Sequence, residues 1–242
     1  MFETFRLAGA VPAILHRAAL MAFLLLGSGP LQAARPLLTD DAAVVPPGAC
    51  QLEAWGERPR GATILWLNPG CNPSTATEVS LGFGWLKPEE SEAIPLRRLQ
   101  IKHLLVEGGE RSVGFALALG SEWAPTHDFR ERFLNAIATI PLAGEVERVH
   151  LNLGFSSSRE AARRFQASTW AAAFERALGA RRVALEVHGT SGERAGWQLG
   201  FAHEVLPGRL QLDASLGSRF GRLRESRAIT LGLVWLSAPD RP

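Results

Sequence analysis

Tyrosine is absent from this chain of 242 residues, and cysteine and methionine occur twice each. Lysine is confined to Lys87 and Lys102, so basic charge is nearly all arginine and anion contacts are expected to be bidentate and local. The formal net charge is only +2, without the concentrated basic face of a nucleic-acid binder. Two cysteines with no histidine at ligand spacing are poor evidence for a zinc centre. Walker, Rossmann and G-x-S-x-G patterns are missing too, so no phosphate loop, dinucleotide fold or nucleophile elbow is signalled. These absences leave no cofactor, metal or catalytic residue to expect. Past the N-terminus, no apolar run reaches the length of a membrane-spanning helix.

The first 34 residues read as a signal peptide. Arg6 and Arg17 precede an apolar run from Ala18 to Leu26, Gly27, Gly29 and Pro30 break it, and Ala33 and Ala34 suit a signal peptidase. An uncleaved anchor is the alternative, because the run is only a little short of a span. Export leaves three fates for a chain without a second apolar helix: periplasmic, released, or a β-barrel. The expected organisation is a periplasmic N-terminal segment over 35–49, an outer-membrane barrel over 50–236 and a C-terminal tail over 237–242.

What the mature chain does contain is a repeat of period two. Val79, Leu81, Phe83 and Trp85 alternate with Ser80, Gly82 and Gly84; Val149, Leu151, Leu153 and Phe155 alternate with His150, Asn152, Gly154 and Ser156. Leu210, Leu212, Ala214 and Leu216 oppose Gln211, Asp213, Ser215 and Gly217 in the same way. Period two means half-buried strands, and here the polar face is small-residue rich while the apolar face carries Leu, Val and Phe. Trp85, Trp197 and Trp235 fall towards strand ends, where an interfacial aromatic girdle belongs. Twelve strands are predicted, beginning near residues 50, 63, 78, 97, 112, 133, 149, 167, 182, 196, 210 and 227. The second, sixth and eighth have blurred alternation, so ten or eight remain alternatives. Joins after odd strands read as long and charged and those after even strands as compact, the loop asymmetry of an all-β, up-and-down antiparallel transmembrane barrel. Strands of nine to eleven tilted residues cross the hydrocarbon layer.

Cys50 opens the first predicted strand and Cys71 closes the second, which places both at one rim. A disulfide is expected there, closing a loop of about 20 residues and contributing about 3 kcal/mol. Continued alternation turns Glu53, Glu57, Lys102, Glu186, His188, Glu204, Asp213 and Arg219 inward. Such a set reads either as a polar constriction that selects solutes or as a braced, closed interior. Thr39, Asp40 and Asp41 either meet basic side chains at the periplasmic mouth or form a simple turn. Arg58, Arg60, Arg130, Arg132, Arg159, Arg163, Arg164, Arg222 and Arg224 fall in the expected outer loops, as a solvated rim or as contacts to lipopolysaccharide phosphates. His203 lies on the apolar face, the one feature pointing towards a lipid hydrolase.

The opening RPLLTDDA from Arg35 to Ala42, with Gly48 and QLE from Gln51 to Glu53, resembles the MetA-like meta-pathway-of-phenol-degradation family of outer-membrane barrels. The resemblance implies a barrel for passage of small hydrophobic or aromatic compounds. The expected partners are outer-membrane lipid, lipopolysaccharide, the barrel assembly machinery and a small-molecule solute, with nucleic acid excluded. A closed structural or lipid-acting barrel and a soluble periplasmic β-sandwich are the competing readings. Thiol labelling of the unreduced protein checks the cysteine pairing: neither Cys50 nor Cys71 should react until a reductant is added.

Overall fold

A computed structural model describes residues 37–142, 146–160 and 163–237. The expected signal peptide, Arg35, Pro36 and the tail after Ser237 lie outside the described residues. Every alternating segment is a strand: β1 (Cys50–Arg58), β2 (Ala62–Cys71), β3 (Thr77–Pro88), β4 (Ile94–Val106), β5 (Gly114–Ala124), β6 (Phe129–Pro141), β7 (Glu147–Glu160), β8 (Arg163–Leu178), β9 (Arg181–Thr190), β10 (Gly196–Leu206), β11 (Leu210–Arg219) and β12 (Ala228–Leu236). Each pairs antiparallel with its chain neighbours, and β1 pairs with β12 from Gln51↔Leu236 to Arg58↔Ile229, closing the barrel. Closure leaves no strand edge, which is what lets a sheet stand in hydrocarbon where water cannot satisfy its amides. A two-sheet sandwich is therefore overturned.

The outer surface is apolar. Leu153 is 69% exposed, and Leu81, Phe83, Leu119, Leu185, Phe201 and Leu231 stand outward with it, while Ala116, Ala118, Asn152, Ala184 and Ala202 on the alternate face are buried. Trp85 and Trp235 are outward and exposed, as their strand-end positions predicted, and Trp197 shares the outward parity. The two rims differ. The rim where β1 begins and β12 ends is here the inner rim; the opposite one is the outer rim.

Loop length does not distinguish those rims, contrary to the sequence reading. Segments taken for long outer loops continue as strand: β7 runs to Glu160 and β8 starts at Arg163, so Arg159, Arg163 and Arg164 are ladder residues, as are Arg130 and Arg132. Their polar alternation hid the period, because above an apolar band both strand faces meet water. The asymmetry is carried by strand length instead. Blurring in β2 has another cause: Ile64 and Trp66 turn inward into an apolar cluster while Leu65 and Leu67 face outward, so both faces are greasy.

Cys50 and Cys71 are ladder partners and are joined by a disulfide. Just before it, Pro46, Pro47, Gly48 and Ala49 make a tight reversal, with the Ala49 amide donating to the Pro46 carbonyl at 3.0 Å and Gly48 at φ 73°. Proline second and glycine third is the type II pattern, whose third position favours glycine. That reversal turns residues 37–45 back into the barrel. The segment expected in the periplasm thus lies inside the lumen from Leu37 onward.

Substituting Leu153→Arg at the centre of β7 should destabilise the barrel in a bilayer by about 2–4 kcal/mol. Reversible denaturant titration in lipid vesicles measures this, and an unchanged midpoint would mean the face does not meet acyl chains.

Candidate functional site: the strapped lumen

Residues 37–45 are short of regular structure because their backbone groups bond to inward side chains of the wall. The Leu38 and Thr39 amides donate to the two oxygens of Glu186 on β9, at 2.9 and 3.0 Å. On β7, Asn152 accepts from the Asp40 amide at 2.9 Å and returns a hydrogen bond to the Asp40 carbonyl at 2.8 Å. The Ala42 amide donates to the Thr139 hydroxyl on β6, and the Val45 amide to Glu78 Oε2 on β3, at 2.8 and 3.0 Å. Asn72 holds the lower end through Nδ2 to the Val45 carbonyl at 2.7 Å. In a ring of twelve strands, β3 and β9 stand six apart, on opposite walls. The strap crosses the diameter.

Charge pins its middle. Lys102 on β4 lies 2.8 Å from Asp40 Oδ1 and 3.6 Å from Asp41 Oδ1, and only 7% of its side chain is exposed. Enclosure pushes the Asp40 carboxyl above its ordinary range, and the Lys102 ammonium pulls it back. Glu78 sits opposite Lys102 in the β3–β4 ladder, so one ammonium faces three carboxylates. Burying that set is tolerable only with the pairing and hydrogen bonds intact.

The remaining luminal residues divide by height and side. Below the strap, Arg182 on β9 pairs with Gln211 on β11 and lies 4.0 Å from Glu175 on β8. Towards the outer rim, β1 to β6 present an apolar wall. Trp55 stacks on Trp66 at 5.8 Å, and the Arg98 guanidinium lies over Trp66 at 4.7 Å while its Nε and Nη2 donate to Glu122. Gly84 allows this: a Cβ there would fall 2.8 Å from the Trp66 ring. The opposite wall carries Ser156, Thr169, Gln198 and Ser215, so the outer chamber is aromatic on one side and polar on the other.

Of the eight inward candidates, Lys102, Glu186 and Asp213 are buried in the lumen, and Lys102 and Glu186 hold the strap. Glu53 accepts from Asn68 on β2 at 3.0 Å. His188 packs against Gly196 from the inward face of β9, where a Cβ would meet its ring at 2.6 Å. Glu57 and Glu204 keep inward parity near the outer and inner rims respectively. Arg219 keeps inward parity at the outer rim, in the row that runs through Gly196 to His188, and pairs there with Glu193 at 2.7 Å, each about half exposed. His203 faces outward with Leu212 and Arg181 as its ladder partners, and neither is a nucleophile.

Sequence reasoning missed Glu78, Asn152, Thr139, Trp66 and Arg98. Glu78 and Asn152 did carry a signal, since both share inward parity with Ser80 and His150. The turn Pro46–Ala49 ahead of β1 was the clue that the N-terminal segment doubles back.

The family described as uncharacterised conserved protein UCP029691 matches residues 21–233. No curated protein matches the chain in sequence. Among solved structures it is similar to the KdgM porin in complex with disordered oligogalacturonate, at 8% identity and a TM-score of 0.62 over 76% of this chain and 98% of that one. The NanC porin is similar at 7% identity and a TM-score of 0.59, over 76% and 98% of the two chains. At such identities the likeness is one of fold.

Replacing Lys102 by methionine should free the strap, because it leaves buried carboxylates without their cation. A cysteine introduced at Thr39, only 1% exposed, reports this: its maleimide labelling should rise at least tenfold in K102M, about 1.4 kcal/mol of lost protection. Equal labelling in both backgrounds would show that Lys102 does not secure the segment.

Proposed function

We propose, for a chain that belongs to the uncharacterised conserved protein UCP029691 family, an outer-membrane channel for small solutes whose lumen is gated by its own N-terminal strap. The apolar belt and closed ladder make it an outer-membrane barrel in contact with lipid; the channel and its gate are the proposal. One observation carries it. Between Leu38 and Val45 the strap is held by wall side chains, and the barrel's own ladder is complete without it. Displacing it therefore costs a handful of polar contacts that water can replace, and leaves the wall standing.

The outer chamber suggests the solute class. Half-buried Trp55, backed by the buried Trp66 and its Arg98–Glu122 ion pair, offers an aromatic surface beside charged groups, and the facing wall offers hydroxyls and an amide. A small solute with one planar or ring face and a few polar groups fits that pattern. The resemblance of RPLLTDDA to the MetA-like family points the same way, towards hydrophobic or aromatic compounds, and its described part, Leu37 to Ala42, belongs to the strap itself. The oligogalacturonate in the KdgM complex belongs to that porin, and an acidic sugar is the alternative solute. Export through a cleavable signal peptide and insertion by the assembly machinery are part of the same reading. No catalytic step is assigned.

The competing view, a closed structural barrel, draws on Glu186 and Gln211, both fully buried within the lumen. Single-channel recording in planar bilayers separates the two. The native protein should show low or flickering conductance, and a variant lacking residues 37–44 but retaining the turn should conduct several-fold more. A folded deletion variant with no conductance and no solute flux from liposomes would establish the closed barrel.

A further inference from the structure

The lipid side of the outer rim carries a charge pattern that neither the strap nor the lumen uses. A single register row crosses five strands: Arg97 on β4 opposes Trp123, Trp123 opposes Arg130, Arg130 opposes Arg159, and Arg159 opposes Arg164 on β8. Parity places the whole row outward. Two residues nearer the membrane come Ser121, Arg132, Ser157 and Gln166, and two further still the apolar belt begins with Leu119, Leu134 and Phe155. Because barrel strands tilt, the row climbs from the edge of the belt, where Arg97 lies beside Phe83, towards the headgroup layer at Arg164.

Three arginines directly opposite one another on adjacent strands are destabilising unless something compensates them. Within the described residues the ion pair on this row is Asp128 to Arg159, at 3.8 Å with both side chains about 60% exposed, a geometry that contributes little. Arg97 is occupied differently: its guanidinium lies 5.3 Å over the outward ring of Phe83, and Nη1 donates to the Leu96 carbonyl at 2.8 Å. Guanidinium forks match phosphate oxygens two at a time, and Trp123 between Arg97 and Arg130 prefers the membrane interface. With neighbouring strands about 4.8 Å apart, the row from Arg97 to Arg164 is roughly 19 Å long, room for more than one phosphate.

We propose that this row is a binding site for the phosphorylated glycolipid headgroup of the outer leaflet, lipopolysaccharide, whose acyl chains lie down the belt below. It rests on the membrane reading of the barrel and is independent of whether the lumen conducts. The phosphates replace the missing counter-charge, so binding also removes the repulsion built into the β6–β8 ladder.

The test uses full-length protein in detergent, stripped of lipid and titrated with bisphosphorylated lipid A, with the same lipid dephosphorylated, and with inorganic phosphate. Native mass spectrometry counts bound lipid, and thermal unfolding reports the accompanying stabilisation. The native protein should retain bisphosphorylated lipid A and gain thermal stability from it. R130Q/R159Q/R164Q should bind at least tenfold more weakly, while R176Q/R181Q/R209Q, with equal charge removed at the inner rim, should bind as the native protein does. Should the triple variant fail to fold, R159K keeps the charge without the fork and should still weaken binding measurably. Equal binding of the dephosphorylated lipid, equal loss in the inner-rim variant, or unchanged binding in both outer-rim variants would overturn the proposal. Displacement of the lipid by millimolar inorganic phosphate would also overturn it, by assigning the row to a free anion.

Discussion

The ladder between β1 and β12 is the contact on which everything else depends. Eight register pairs, from Gln51↔Leu236 to Arg58↔Ile229, convert an open meander into a ring. Without them two strand edges would expose unpaired amides to hydrocarbon, where each costs several kcal/mol. The inner-rim disulfide between Cys50 and Cys71 lies next to this seam, and the Cys50 and Ser237 backbones exchange a further hydrogen bond at its end. The seam is therefore tied where the chain enters and leaves the barrel.

Closure creates an enclosed space, and the strap is the chain's response to it. A lumen of twelve strands is too wide for facing side chains to meet across it, so inward carboxylates would be left to water. The nine residues from Leu37 to Val45 bring backbone amides to Glu186 and Glu78 and carboxylates to Lys102, satisfying both sets at once. The charges that seemed to brace one wall against another instead grip a segment between them. Towards the outer rim none of the described strap residues intervenes, and there the walls differ: aromatic on β1 and β2, hydroxyl and amide on β7 to β11. In the proposed channel, a solute entering from outside meets a graded surface before it meets the strap.

Legibility tracked the local environment of each strand. Where one face met lipid and the other a polar lumen, as in β3, β7 and β11, period two was plain and the strand boundaries nearly right. It faded in β2, because Ile64 and Trp66 turn an apolar face inward, and above the belt in β6 to β8, because water lies on both sides. Lys102 and Glu186 were recognisable as inward from parity alone, but nothing in the local pattern said that they reach for residues more than sixty and more than one hundred and forty positions away. The line of arginines was hidden for a related reason. Arg130, Arg159 and Arg164 read as outer-loop arginines, but they and Arg97 look scattered along the chain, and only register makes them neighbours.

The sequence by itself determined the strand period, the face of each side chain where alternation was plain, and the rim shared by the two cysteines, and it favoured twelve strands with ten or eight left open. All of these follow from local alternation and from antiparallel chain order. Tertiary structure alone decided that residues 37–45 turn back through the lumen, that Asp40 finds Lys102, and that four distant arginines form one line. Those outcomes depend on closing the ring: only then does a fixed shear bring chosen rungs of separate strands to the same height, and only then is there an interior for the chain to enter.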